Sequence, residues 1–298
     1  MSSRRGGRLP FLSLLISLRP GQWTKDLFVF AALVFAERLN DPEAVLRASI
    51  VFVLFCALSG AVYLVNDVSD REQDRRHPVK KHRPIAAGDV SPGVALAVAA
   101  MLGLAALGGA FVIGFPFFAI AATYLVLLSF YSLFLKHLVI LDVLTVAAGF
   151  ALRAAAGAAA IHVPISHWLI VCTTLLALFI ALSKRRHELT LLTDTATDHR
   201  PILGDYTPYL LDQMISVVTA STVIAYAFYT ISPETTERFG TDLLSLTIPF
   251  PLYGIFRYLY LVHRRDQGGS PAELVVNDRP LLICVGLWAL SVILIIYR

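Results

Sequence analysis

The sequence predicts an all-α integral membrane protein, a bundle of nine transmembrane helices with acidic loops gathered on one side. Three observations predict the helical bundle. Of the 298 residues, 57% are hydrophobic and only 15% are charged, whereas a soluble domain carries roughly 25% charged residues. The mean hydropathy is +0.69. The apolar residues fall into long continuous runs rather than alternating ones, and in a bilayer such runs are helices, not barrel strands.

Residues 1–21 form a basic N-terminus, with Arg4, Arg5 and Arg8, and a short amphipathic segment from Leu9 to Leu18 that suits the membrane surface. The first long apolar run ends in Ala36-Glu37-Arg38 with no small-residue cleavage site, so no cleavable signal is expected. Residues 22–298 make one catalytic transmembrane domain. Its first span is 22–38. The second, 45–65, runs straight into a charged stretch. The third and fourth are 92–113 and 115–135, with Lys136 closing the fourth. The fifth, 138–161, contains Asp142 and Arg153, and the sixth, 166–183, opens onto a second charged loop. The last three, 208–232, 242–262 and 279–297, carry few polar residues and read as scaffold. Small-residue runs, Gly103 to Ala110 and Ala154 to Ala160, mark close helix packing. Cys56, Cys172 and Cys284 sit in apolar runs with neither disulfide nor zinc spacing.

The formal charge of +4 and the pI near 9.0 do not point to nucleic acid. With nine spans, most of the 25 lysines and arginines fall on the side of the N-terminus and of the loops after even-numbered spans. That bias places those loops in the cytoplasm, at the plasma membrane.

Asn66-Asp67-Val68-Ser69-Asp70-Arg71-Glu72-Gln73-Asp74 follows the second span directly. Asn66, Asp70 and Asp74 recur every four residues, so a helical continuation sets them on one face, with Asp67 one position off. Charge runs at membrane borders are usually topology signals, but carboxylates hardly contribute to that rule. Oxygen donors so arranged suit Mg²⁺, which is held by one or two carboxylates, water and substrate phosphates. His77, Lys80, Lys81 and Arg83 follow at once and suit those phosphates. The loop after the sixth span repeats the pattern with Lys184, Arg185, Arg186 and Glu188, then Asp194, Asp198 and Asp205-Tyr206. Two acidic, cation-flanked loops on one face can clamp a polyphosphate from two sides, the electrostatics of a metal-assisted displacement of diphosphate. Arg153 lies about 22 Å into its span at 1.5 Å per residue, too deep to snorkel easily, and is expected to face a polar cavity. An internal pair with Asp142 would have to bridge about 16 Å along the helix. Lys136 and Asp142, nearer the edge, can reach the same cavity.

The acidic loop resembles the first signature of the UbiA superfamily of membrane prenyltransferases, N-D-x-x-D-x-x-x-D, and nine helices with a second acidic loop after the sixth span fit it too. Within the superfamily, Leu18-Arg19-Pro20-Gly21-Gln22-Trp23-Thr24-Lys25, His77-Pro78-Val79-Lys80, Arg83-Pro84-Ile85-Ala86-Ala87-Gly88 and Ser183-Lys184-Arg185-Arg186-His187-Glu188-Leu189 resemble an actinobacterial branch. That branch joins decaprenyl phosphate to C1 of 5-phosphoribose 1-diphosphate, releases pyrophosphate and feeds arabinan synthesis in the cell wall. The resemblance implies Mg²⁺ on Asn66, Asp67, Asp70 and Asp74, with Asp70, Asp74 and Asn66 carrying catalysis. It also implies a metal role for Asp194 and Asp198. Lys25, His77, Lys80, Arg83, Lys136, Arg153, Lys184, Arg185, Glu188 and Tyr206 are the expected substrate contacts. Asp26 departs from the Asn expected after the Trp-x-Lys element.

Cations beyond those a diphosphate needs favour a donor with an extra 5-phosphate. The Gly/Thr-rich phosphate loop of soluble phosphoribosyltransferases is absent. A rival within the superfamily is transfer of a prenyl group from its diphosphate to an aromatic acceptor. A rival of another class is an anion or metal transporter, which calls for matched broken helices at the midplane. No such pair is visible. Membrane lipids are expected partners, and a homo-oligomer is left open.

Overall fold

A computed structural model describes residues 10–191, 201–265, 274 and 277–298. Every regular element among them is helical. Helix α1 (Pro10–Ser17) precedes a 3₁₀ segment, Pro20–Phe30, which continues into α2 (Ala31–Phe35). Then come α3 (Pro42–Ser69), α4 (Arg71–Arg76), α5 (Pro84–Ala87), α6 (Pro92–Ile113), α7 (Phe115–Leu133), α8 (Leu141–Ala160) and α9 (His167–Leu191). The C-terminal part holds α10 (Pro208–Ile231), α11 (Pro233–Phe239), α12 (Pro249–Arg265) and α13 (Arg279–Ile296).

Seven of these helices, α3, α6, α7, α8, α9, α10 and α13, are long and apolar enough to cross a membrane. They match the second to seventh and the ninth predicted spans. The other two expectations need correction. Residues 242–262 begin as a 3₁₀ turn, Leu243–Thr247, before α12, and Leu243–Val262 joins Pro233–Phe239 as a pair bent by 106°. Counting that pair gives eight candidates among the described residues, not nine. The segment 22–38 is a 3₁₀ stretch followed by five residues of α-helix. Its apolar run starts only at Leu27, because Gln22, Thr24, Lys25 and Asp26 are polar.

Helix starts are written in the sequence. Asp41 accepts hydrogen bonds from the Glu43 and Ala44 amides ahead of α3. Ser91, Thr207 and Asp278 cap α6, α10 and α13 in the same way. A proline stands in the first turn of each, where its missing N–H costs nothing.

The small-residue runs do what their composition predicts. A Cβ on Gly157 would stand 2.0 Å from Val29 O, so the 3₁₀ segment rests directly on α8 at a point only glycine permits. Gly109 and Gly103 likewise accept the Leu54 and Leu125 side chains at 3.0 and 3.3 Å. One core of Phe55, Leu58, Phe117 and Tyr124 joins α3 to α7, and another of Phe179, Leu182, Tyr258 and Leu261 joins α9 to α12. Helix α1 has an inverted polarity: Phe11, Leu12, Leu15 and Ile16 are exposed while Ser13 and Ser17 are buried. An apolar face turned away from the protein is the arrangement lipid favours.

Candidate active site

Polar groups collect in two clusters, one at the end of α3 beside the turn after α7 and one where the start of α8 meets α9. Helix α3 stops at Ser69 and α4 begins at Arg71, yet the backbone keeps helical register across the break. The Asp70 amide donates to Asn66 O at 2.9 Å and the Asp74 amide to Asp70 O at 2.8 Å. The one-face expectation for Asn66, Asp70 and Asp74 therefore rests on a nearly continuous helix. Asp67 and Asp74 are buried.

Each carboxylate faces a cation. Arg83 Nη1 lies 3.2 Å from Asp67 Oδ1 and 2.6 Å from Asp74 Oδ2, bridging the two. Arg19 pairs with Asp67 as well, and its guanidinium lies 5.0 Å from the centre of the Tyr63 ring. Lys136 pairs with Asp70, and Asn66 Nδ2 donates to Asp70 Oδ2 at 3.1 Å. Arg75 Nε donates to Ala86 O at 3.1 Å, tying the acidic helix to α5. His77 Nδ1 accepts the Val79 and Lys80 amides at 3.1 and 3.2 Å, so this ring nitrogen shapes the turn that carries Lys80.

The second loop is built around Arg185. Its Nε donates to Asp142 Oδ2 and its Nη1 to Glu188 Oε2, both at 2.8 Å. Lys184 Nζ lies 4.0 Å from Glu188. Tyr206 donates to Asp142 Oδ1 and accepts the Ile140 amide, each at 2.8 Å. Ile140 has φ 71°, a conformation a β-branched residue rarely adopts, and the Tyr206 hydroxyl fastens it. Burial and the Asp142 contact push the Tyr206 hydroxyl pKa up to about 12, against the opposing bond from Ile140. Tyr206 thus stands behind Arg185 as its support. Asp194 and Asp198 lie outside the described residues.

Arg153 is buried, but it does not pair with Asp142. Its Nε donates to Asp26 Oδ1 at 2.6 Å, Nη1 to Gly149 O at 3.1 Å, and Nη2 to Tyr124 Oη at 2.6 Å and Ser59 Oγ at 3.3 Å. Ser59 also donates to Asp26 Oδ1 at 3.0 Å. The network joins the 3₁₀ segment to α3, α7 and α8. Sequence reasoning gave Asp26 only as a departure and left Arg19, Ser59 and Tyr124 out of the site. The usable signal was a carboxylate directly at the border of an apolar run, whose cost in a membrane demands a partner.

Lys25 sits next to Asp26, within electrostatic range of Lys184, Arg153 and Arg19. The cation surplus expected from the sequence is smaller than counted, because Arg83, Lys136 and Arg185 all have carboxylate partners.

Asn66, Asp67, Asp70 and Asp74 offer hard oxygen donors, the chemistry Mg²⁺ takes. As placed they converge on cations, and no three His, Cys, Asp or Glu side chains among the described residues are grouped as a metal set.

A membrane helix bundle with this acidic motif matches the model of the UbiA prenyltransferase family over residues 27–274. The chain belongs to that family. Family membership makes it a multi-pass membrane transferase. It is 32% identical over 290 residues to the decaprenyl-phosphate phosphoribosyltransferase of Corynebacterium glutamicum, covering 95% of this chain and 86% of that protein. It is 33% identical over 282 residues to the enzyme of the same name from Mycobacterium tuberculosis, covering 93% and 91%. Among solved structures, a UbiA homologue from Archaeoglobus fulgidus bound to GPP and Mg²⁺ matches with a TM-score of 0.74 at 19% identity, over 96% of this chain and 100% of that one. At that identity the likeness concerns the fold of the UbiA family alone.

Proposed function

We propose that the protein transfers the 5-phosphoribosyl group of 5-phosphoribose 1-diphosphate to decaprenyl phosphate, releasing pyrophosphate, as a step toward arabinan precursors of the cell wall. The site would face the cytoplasm from the plasma membrane. The observation that carries the choice of substrates is the identity of about a third, over more than nine-tenths of this chain, to relatives named for this transfer.

The geometry supports the reaction class. Carboxylates and cations are paired with one another at the end of α3 and on α9, so these residues supply the chemistry to bind both a divalent metal and a polyphosphate. Asn66, Asp67, Asp70 and Asp74 would hold Mg²⁺, with Asp194 and Asp198 completing the metal side from the second loop. When bound, the metal supplies charge neutralisation of the departing diphosphate. Arg83, Lys136, Lys80, His77, Lys184 and Arg185 would take phosphate oxygens, with Glu188 orienting Lys184 and Arg185. Each carboxylate then exchanges one cation for another, and each cation one anion for another. No buried charge is left unpaired, which is the condition for such an exchange to be affordable in a low-dielectric site.

In the transfer, the C1–O bond to the diphosphate breaks and its electron pair leaves on pyrophosphate. A phosphate oxygen of the lipid forms the new C1–O bond. The lipid phosphate is already an anion, so no strong general base is required. Lys136 and Arg83, beside Asp70 and Asp74, would meet the negative charge that grows on the leaving group, the kind of contact that lowers such a barrier.

Pyrophosphate release by purified protein with Mg²⁺ tests the reading. Release is expected only when 5-phosphoribose 1-diphosphate and a polyprenyl phosphate are both present. Turnover of a prenyl diphosphate with an aromatic acid instead would assign the family's prenyl-transfer chemistry.

A further inference from the structure

We propose that Arg19 is the fixed counter-ion of Asp67 and that, with Arg83 and Lys136, it keeps the acidic set charge-balanced in the free protein, so that a divalent ion enters only together with a diphosphate. The proposal rests on the reading above in which Asn66, Asp67, Asp70 and Asp74 hold Mg²⁺, and it adds the order in which that site fills.

The first observation is the balance of charge. Asp67, Asp70 and Asp74 face Arg19, Arg83 and Lys136, one cation for each carboxylate. The neighbouring Glu72 is answered by Arg75 at 3.0 Å, so it adds no negative charge to the set. Asp67 and Asp74 expose only 3% and 4% of their side chains, so bulk water cannot stand in for a cation that leaves them. A divalent ion arriving alone would bring two charges to a neutral cluster and turn Arg83 and Lys136 away from Asp74 and Asp70. Those cations would stand unpaired beside the metal, and breaking a buried pair on one side only is strongly unfavourable. A diphosphate arriving with the ion gives both cations oxygens, and the cluster stays close to neutral.

The second observation separates the cations that can move from the one that cannot. The Arg19 backbone is left-handed, φ 52° and ψ 62°. Its amide donates to Ile16 O at 3.0 Å, and the Gln22 amide donates to Arg19 O at 2.8 Å. Its guanidinium lies 5.0 Å from the centre of the Tyr63 ring and pairs with Asp67. A non-glycine residue in this region is costly and persists only where its surroundings fix it. Arg83, by contrast, divides one nitrogen between Asp67 at 3.2 Å and Asp74 at 2.6 Å. Lys136 offers a compact ammonium on a flexible stem. These two can pass to phosphate oxygens while Arg19 keeps Asp67 neutral. Arg19 therefore acts through Asp67, as a positioning residue, and sets how much negative charge the free protein presents to a metal. Without it, Asp67 has Arg83 alone and the cluster carries one negative charge in excess, which a divalent ion can answer unaided. Loss of Arg19 should thus raise the affinity for free metal, a gain that misfolding does not produce.

The test is flow dialysis of ⁵⁴Mn²⁺ against full-length protein in detergent, with and without pyrophosphate, at matched free Mn²⁺. The parent is expected to bind Mn²⁺ weakly alone and about five- to 150-fold more tightly with pyrophosphate, the usual range of coupling between two ligands. Arg19→Gln is expected to bind Mn²⁺ alone at least about fivefold more tightly than the parent, and Arg19→Lys, which keeps the charge, to match the parent. Should Arg19→Gln fail to fold, Lys136→Met carries the same expectation, since it too leaves one carboxylate in excess. Equal Mn²⁺ binding by the parent with and without pyrophosphate, or none in either case, overturns the proposal. So does a folded variant whose affinity for Mn²⁺ alone is unchanged or lower. Failure of the parent to turn over 5-phosphoribose 1-diphosphate with a polyprenyl phosphate would refute the transfer reading instead. The metal measurement would still stand, because its probe is pyrophosphate, the leaving group of phosphoribosyl and prenyl transfer alike.

Discussion

Asp70 shows how a residue can be legible in sequence while its partners are not. Its spacing from Asn66 and Asp74 follows from helical geometry and survives the break at Ser69, because the backbone bonds continue across it. Its ion pair with Lys136 crosses 66 positions and no local pattern announces it. The same holds for Arg153, whose depth in the membrane predicted a polar surrounding but not Asp26. Asp70→Asn keeps the shape and removes the charge. Turnover should fall about 10²- to 10³-fold, the scale of losing one electrostatic contact to the reacting centre, with the melting temperature of the detergent-solubilised protein little changed. Tyr206 makes a pH prediction. Its hydroxyl titrates near 10 when free and is pushed up to about 12 here, so the folded state favours the protonated form. The stability this supplies is complete below pH about 10 and is lost as pH rises toward 12. Thermal melts from pH 8 to 12 should show an alkaline loss that is smaller in Tyr206→Phe.

Among the elements, the membrane helices were readable because each is a long apolar run, and α3, α6, α10 and α13 also open with a capping residue and a proline. The 3₁₀ segment was not, since hydropathy counts apolar residues and ignores close approach. The contact of Gly157 with Val29 and the bonds of Asp26 to Arg153 and Ser59 fix where Pro20–Phe30 lies. Gly157→Ala should displace that segment, because a backbone carbonyl cannot yield as a side-chain tip can. A loss of about 1–3 kcal/mol, typical of overpacking, is expected in unfolding measurements. Gly286→Ala, where nothing lies within 4 Å of the added carbon, should be near neutral. The pair bent by 106° was also hidden, because a bend between two apolar segments leaves composition unchanged.

For the molecule as a whole, composition and the four-residue acidic spacing gave a membrane helix bundle with an acidic face, since they report on the bilayer and on helix periodicity; the family came from the resemblance of Asn66 to Asp74 to a known signature. The two charged clusters were legible only as lying on one side, and their inner contacts were not: Lys136 ties the end of α3 to the turn after α7, and Asp142 ties the start of α8 to Arg185 of α9 and to Tyr206. Metal removal belongs at this scale. Chelation with EDTA should abolish transfer, and Mg²⁺ should restore it. The most direct test follows two labels through one reaction, ¹⁴C in the ribose and ³²P in the β-phosphate of 5-phosphoribose 1-diphosphate, with decaprenyl phosphate as acceptor. The account predicts that ¹⁴C passes into the lipid extract while ³²P is recovered as water-soluble pyrophosphate. Both labels remaining together, in either phase, would contradict it.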